Sequence, residues 1–163
     1  MRKDFVYLAS ASPRRGDLLR QIGVRFNVRP AAIDERLEPG EAPAEYVTRL
    51  AARKADVVWN DLAGDQAAAV LAADTAVVLD ERVLGKPADA TDAERMLAAL
   101  SARTHRVLTA VALRDARGCE HLLSTSEVRM RATTPAERRP YAHTGEPLDK
   151  AGGYAVQGFA AVF

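Results

Sequence analysis

Asp74 stands inside an apolar run, with Ala69-Val70-Leu71-Ala72-Ala73 before it and Thr75-Ala76-Val77-Val78-Leu79 after it. A carboxylate in the middle of a buried strand is expensive unless it is paired, protonated or bound to metal. It is therefore a candidate general base or metal ligand, with a structural acid bonded to backbone N–H groups as the competing reading. Two cations share the oddity. Arg15 lies three, four and seven residues before Leu18, Leu19 and Ile22. Lys54 lies seven residues after Val47, four after Leu50 and three after Ala51. Each falls on the apolar face of a helix, where a cation needs an anionic partner or a route to water. Arg15 also closes Ser10-Ala11-Ser12-Pro13-Arg14-Arg15, where Ser12 suits an N-cap and Pro13 a first helical residue. The unpaired N–H groups of that turn, the helix dipole and two guanidinium groups favour a multiply charged anion, phosphate first among them.

Weaker signals add to these. Asp34-Glu35 can supply a second carboxylate, Lys86-Pro87 a further cation, and Glu146, Asp149 and Lys150 occupy a loop bounded by Gly and Pro. Two carboxylates, several cations and a helix start suggest metal-assisted chemistry on a polyphosphate. A divalent ion would bridge phosphate and carboxylate oxygens, and the cations would offset charge on the leaving group. The sequence has neither the Gly-x-x-x-x-Gly-Lys-Ser/Thr loop nor Gly-x-Gly-x-x-Gly, which argues against an ATPase motor or a dinucleotide enzyme.

The elements that must carry these residues follow from periodicity. Phe5–Ala9 reads as a strand and Pro13 to Ile22 as a helix closed by Gly23. Val24–Val28 reads as a second strand, followed by an acidic loop through Pro43. A helix to about residue 59 has Val47, Leu50, Ala51, Ala55 and Val58 as its apolar face. Asn60–Gln66 reads as a polar turn and Ala67–Leu79 as a central strand, with Asp80-Glu81-Arg82 turning a hairpin. Thr91 or Asp92 caps a helix to Leu100 with Met96, Leu97 and Leu100 inward. Strands at Arg106–Leu113 and His121–Arg131 flank a turn at Asp115–Gly118. A helix from Pro135 to His143 is made irregular by Pro140, and the chain ends in an apolar run. Helices alternating with strands and hairpins predict an α/β fold with a mixed sheet flanked by helices.

Composition bounds the partners. The 163 residues fit one domain or two small lobes sharing a core. With 23 basic and 22 acidic residues the net charge is +1, which excludes a nucleic-acid polyelectrolyte binder and makes any anion site local. The lone Cys119 and three scattered histidines give no disulfide and no zinc-ligand spacing, which suits a reducing compartment. The apolar runs fall far short of the ~18 residues of a membrane span, and Arg2-Lys3 precede too short a run for a signal peptide. A cytoplasmic protein without membrane or nucleic-acid partners is expected.

The chain resembles the Maf family of nucleoside triphosphate pyrophosphatases. The resemblance rests on Leu8-Ala9-Ser10-Ala11-Ser12-Pro13-Arg14-Arg15, Arg49-Leu50-Ala51-Ala52-Arg53-Lys54-Ala55 and Ala73-Asp74-Thr75. It continues with Leu84-Gly85-Lys86-Pro87, Leu100-Ser101 with Thr104-His105, and Gly145-Glu146-Pro147-Leu148-Asp149-Lys150-Ala151-Gly152-Gly153-Tyr154. These occur in family order across nearly the whole chain. The resemblance implies a single Maf-like domain over 1–163, with a strongly twisted sheet and two lobes around a nucleotide cleft. It implies hydrolysis of a nucleoside triphosphate to monophosphate and pyrophosphate with a divalent metal cation, Mg²⁺ or Mn²⁺. Asp74 then matches the proton acceptor, Ser12, Arg15, Lys54 and Lys86 the phosphate contacts, and Glu35, with Asp74, the acidic positions near the metal. Arg14, Thr75 and Gln157 match positions that separate subgroups, and as a set resemble the dTTP/UTP subgroup. A Gln amide both donates and accepts, so it can match O4 and N3–H of uracil or thymine.

Family members continue past the position of Phe163 with a further strand and a terminal helix, so the expectation is an incomplete strand pair at Phe159–Phe163 with apolar surface uncovered and lowered stability or altered association, a naturally short variant whose last strand is simply an edge being the competing reading. A homodimer is left open as the assembly. Two other functions stand beside the first: a nucleotide-binding regulator of cell division and septum formation with little or no catalysis, and a pyrophosphatase for modified nucleotides.

Overall fold

The structure is a computed structural model that describes residues 4–62 and 68–163. Residues 63–67, most of the expected polar turn and the first residue of the expected central strand, lie outside the described residues, as do Arg2 and Lys3.

Short parallel strands β1 (Val6–Leu8) and β2 (Phe26–Val28) flank helix α1 (Pro13–Gln21) in sequence. Helix α2 (Pro43–Asp61) then leads to β3 (Val70–Leu79), which pairs in parallel with the other side of β1. β3 turns back into β4 (Arg82–Leu84) as an antiparallel hairpin. Helix α3 (Ala90–Leu100), the hairpin of β5 (Thr104–Asp115) and β6 (Gly118–Arg129), and helix α4 (Pro135–Ala142) follow. The chain closes in three 3-10 turns. Among the described residues the sheet has six strands in the order β2-β1-β3-β5-β6, with β4 on β3. An α/β fold with a mixed sheet is thus observed as expected.

Two compact units make up the chain, Met1–Asp74 with Thr109–Ser124 and Thr75–Leu108 with Thr125–Phe163.

In the first unit, α1 ends as its Gly23 predicted. Gly23 takes φ +71, and the N–H groups of Gly23 and Val24 return to the carbonyls of Arg20 and Leu19, the paired bonds of a Schellman end. Its buried face differs from expectation: Leu18 and Ile22 are 59% and 72% exposed, while Gly16 and Leu19 are buried. Gly16 is the reason. A Cβ there would lie 3.1 Å from the Phe26 ring, so the missing side chain lets α1 settle on β2 along its Gly16–Leu19 stripe. Helix α2 matches its predicted face, with Val47, Leu50, Ala51, Ala55 and Val58 all buried and Trp59 added. Glu45 accepts from the Ala42 N–H at its start.

In the second unit, the β3–β4 hairpin has a two-residue turn, Asp80-Glu81, with both residues at positive φ, the mirror-image turn that suits strand twist. Arg103 and Arg106 hold the two exposed carboxylates at 2.6 Å. Asp89, rather than Thr91 or Asp92, caps α3, accepting from the Asp92 N–H. Leu97 and Leu100 of α3 are fully buried in a cluster with Val77, Leu79, Met130, Tyr141, Tyr154 and Ala160. His105 is buried too, its Nε2 2.5 Å from the Tyr154 hydroxyl and its Nδ1 without a hydrogen-bond partner among the described residues. The expected strand at the end of the sequence is instead the 3-10 turn Phe159–Val162. Arg131 holds it, donating from its N–H to the Phe163 carbonyl and from Nε to the Val162 carbonyl.

Candidate active site at the ends of the parallel strands

The order β2-β1-β3 contains a topological switch: α1 carries the chain from β1 to one side and α2 returns it to the other. Ligands of open α/β sheets bind outside the carboxyl ends of the two strands at such a point, because the two connections leave in opposite directions there and open a crevice. Here those strands are β1 and β3, whose parallel register runs Tyr7↔Val70 and Leu8↔Leu71. Ser10 and Ala73-Asp74 come just after the last paired residues, and α1 starts at Pro13.

Arg15 reaches back from α1 into this place. Its Nη1 donates to Ser10 Oγ at 3.2 Å and to the Ala73 carbonyl at 2.6 Å. Ser12 occupies the N-cap in extended conformation with no side-chain cap bond, and its N–H donates to Ser10 Oγ. The hydroxyl of Ser10, itself buried, thus ties the helix start to the arginine. The motif includes Ser10 without giving it a role of its own; its signal in the sequence is its place directly after the apolar run of β1. Arg14 is exposed beside it.

Asp74 and Lys54 are each 8% exposed. Lys54 Nζ donates to Asp74 Oδ1 at 2.7 Å and lies 2.6 Å from Glu35 Oε1. Lys54 thus has the anionic partners that its apolar surroundings demand, and the structure separates the Asp34-Glu35 pair: Asp34 turns to Arg36 while Glu35 reaches Lys54. Burial pushes the Asp74 carboxyl above the usual carboxylate range, against the opposing pull of the Lys54 hydrogen bond and charge and of Arg15. Burial likewise lowers Arg15 from the ordinary arginine value, with Asp74 opposing. Removal from water disfavours the charged form of either sign. Tyr46 is raised, first by burial and then by the charges of Asp74 and Glu35.

Thr75, Lys86 and Gln157 fall in the second unit. Thr75 is half-buried on β3, and Lys86 and Gln157 are exposed. The Gly85 carbonyl, just before Lys86, accepts from the Gly152 N–H at 2.9 Å. Gly152 sits at φ +68, where a Cβ would come within 2.9 Å of Val77, so only glycine lets this turn close on β3. Gln157 rides on a turn closed by the Gly158 N–H to the Ala155 carbonyl. Glu146 grips that turn from Oε2 through the Phe159 N–H and accepts from the Tyr141 hydroxyl at Oε1.

Among the described residues no cluster of three or more His, Cys, Asp or Glu side chains could cage a metal. The oxygens of Asp74 and Glu35 already converge on one cation, the Lys54 ammonium. That donor set fits a hard divalent ion that shares its shell with phosphate oxygens and water, and it does not fit a cage built from protein alone. No helix of the described residues is long and apolar enough to cross a membrane.

The profile of the family described as Maf-like protein matches residues 5–163. The chain is 48% identical over 172 residues to the dTTP/UTP pyrophosphatase of Aromatoleum aromaticum, covering 97% of this chain and 82% of that protein. It is 49% identical over 168 residues to the protein of the same description from Nitrosomonas europaea, covering 97% and 81%. It is 52% identical over 160 residues to that of Anaeromyxobacter dehalogenans, covering 96% and 79%.

Proposed function

The chain belongs to the Maf-like protein family, and on that premise we propose that it hydrolyses dTTP and UTP to the nucleoside monophosphate and pyrophosphate. The observation that carries this reading is the buried Asp74, raised above its ordinary range and held by Lys54 beside Glu35 at the switch point of the sheet. The relatives described as dTTP/UTP pyrophosphatases supply the substrate class.

In this mechanism a water oxygen attacks the α-phosphorus. Asp74 accepts the water's proton, the α–β bridging bond breaks, and its electron pair leaves with pyrophosphate. A carboxylate whose affinity for protons is raised by burial is a better base than one in water. Lys54 keeps Asp74 ionised and oriented by donating to Oδ1, which leaves Oδ2 for the water. Arg15 and Lys54, with Ser12 and Lys86, oppose the charge that grows on the departing phosphates. Arg14, Thr75 and Gln157 choose the base, the Gln157 amide pairing with both the acceptor and the donor of a uracil or thymine edge. Asp74 and Glu35 would hold a Mg²⁺ or Mn²⁺ ion, which when bound neutralises phosphate charge. The lone Cys119, half-buried and with its thiol pushed up by burial, is consistent with a reducing, cytoplasmic setting.

A panel of nucleoside triphosphates with Mg²⁺, assayed for pyrophosphate, tests this. Fastest release from dTTP and UTP is expected. Preference for purine triphosphates sinks the base reading, and tight nucleotide binding by the folded protein without any pyrophosphate sinks the enzyme.

A further inference from the structure

The Arg49-Leu50-Ala51-Ala52-Arg53-Lys54-Ala55 segment contributes Lys54 to the site, but the mechanism gives Arg49 no task. Residues 29–42, between β2 and α2, contain neither helix nor strand, and this loop has to deliver Glu35 to Lys54. Glu35 is half-exposed, its side chain 49% accessible. An ion pair that open to water is too weak to order a loop of this length.

Arg49 supplies the missing restraint. Its Nε and Nη2 take both carboxylate oxygens of Glu41, at 2.5 and 2.6 Å, a two-pronged pairing that fixes direction as well as distance. The same Nη2 donates to the Arg36 carbonyl at 3.1 Å, and Nη1 lies 3.5 Å from Glu38. The pair is well shielded, with side chains 19% and 8% exposed for Arg49 and Glu41. The Arg49 guanidinium lies over the Tyr46 ring, and the Tyr46 hydroxyl donates to the Glu35 carbonyl at 2.9 Å. Two successive carbonyls, Glu35 and Arg36, are therefore held by two residues one helical turn apart on α2, the helix that also carries Lys54.

We propose that Arg49, with Tyr46 stacked beneath it, is a positioning residue that clamps the acidic loop onto α2 and thereby sets Glu35 against Lys54 and Asp74. The proposal rests on the reading that Glu35 acts in the site. A lysine at 49 keeps the charge but loses the planar fork, so it cannot reproduce the clamp.

The test compares the full chain with Arg49→Lys, Glu41→Gln, Glu35→Gln and the Arg49→Lys/Glu35→Gln double variant. Readouts are pyrophosphate release from dTTP as Mg²⁺ is varied, thermal unfolding, and amide hydrogen exchange over residues 34–41. Glu35→Gln is expected to slow turnover. Arg49→Lys is expected to raise the Mg²⁺ concentration giving half-maximal rate by about tenfold, as for loss of a partner that orients a ligand, and to speed exchange over 34–41. Added to Glu35→Gln, Arg49→Lys should change the rate less than twofold, because the residue it positions is already disabled. Glu41→Gln, which keeps the arginine and weakens the fork, should follow Arg49→Lys in direction and serves in its place if that variant does not fold. Full additivity of the two substitutions, or unchanged exchange and Mg²⁺ dependence in both clamp variants, overturns the proposal while leaving the role of Glu35 intact. If Glu35→Gln turns over at the native rate, the Glu35 reading itself fails and the clamp's role falls with it.

Discussion

Each unit of the chain buries a polar pair, and the two pairs differ in kind. In the first unit Lys54 and Asp74 are buried as charges, with Glu35 and Arg15 within reach. In the second, His105 and Tyr154 are buried as neutral groups, edge to face, and the Nδ1 of His105 has no hydrogen-bond partner among the described residues. Burial pushes both centres away from charge, raising Asp74 and lowering His105. At Asp74 alone the push is resisted by cations, Lys54 and Arg15. A pair kept only for packing gains by being neutral, because a buried ion pair seldom repays the loss of its water. Cations retained around a buried acid are therefore the mark of the proposed site, and burial of a titratable group by itself is not.

The largest expected effect breaks that contrast at its centre. Asp74→Asn keeps the shape and removes the proposed base, and turnover of dTTP should fall by about 10²- to 10⁴-fold. The fold should not suffer. Asp74 is raised above its unfolded value, so its contribution to stability is present at acid pH and is lost as the pH rises through the folded value. At neutral pH the ionised group opposes folding, and thermal unfolding of Asp74→Asn at pH 7 should match or exceed the native protein. A variant that loses activity together with its melting temperature would reduce Asp74 to a structural acid.

Lys54→Met comes next. Without the ammonium, Asp74 and Glu35 lose their shared donor, and the cause that most strongly opposes the rise of the Asp74 carboxyl disappears. The acid limb of the pH–rate profile should move to higher pH, and the rate at its plateau should fall by about 10²-fold, the scale of losing one preorganised electrostatic contact. An acid limb that stays in place shows that Asp74 does not govern it.

The same contrast explains what could be read from the sequence. Asp74 and Lys54 were legible because a charge in an apolar pattern violates the local rule, and such violations gather at functional sites. Ser12, Pro13 and Gly23 announced the ends of α1 through local backbone preferences that no distant contact overrides. The inward face of α1 was not legible. Leu18 and Ile22 satisfy the helical period, but the absence of a side chain at Gly16, answered by Phe26 on a separate strand, decides which stripe is buried. The pairing of Arg49 with Glu41 was not legible for a related reason: two charges eight residues apart in a polar context break no pattern, and only the path of the loop brings them together. The final apolar run has strand-like composition, but one backbone and one side-chain bond donated by Arg131 hold it as a 3-10 turn.

The smallest effects belong to the second pair and bear on stability alone. Tyr154→Phe removes the hydroxyl bonded to His105 and should cost about 1 kcal/mol, the usual worth of one hydrogen bond, with a further penalty because Nε2 is then left unpaired beside an already unpaired Nδ1. The pH dependence has a definite sign. The folded value of His105 lies below its ordinary 6.5, so its contribution is complete above that pH and is lost as the pH falls toward the folded value. Tyr154, pushed up to about 12 by burial, contributes below its ordinary value of 10 and gives that contribution up as the pH rises through about 12. Unfolding followed across pH should show both losses, and His105→Phe should abolish the acid one while leaving the relative rates of dTTP and UTP hydrolysis as they were. A change in nucleotide preference on replacing His105 would make this pair part of the site and remove the distinction between neutral and charged burial.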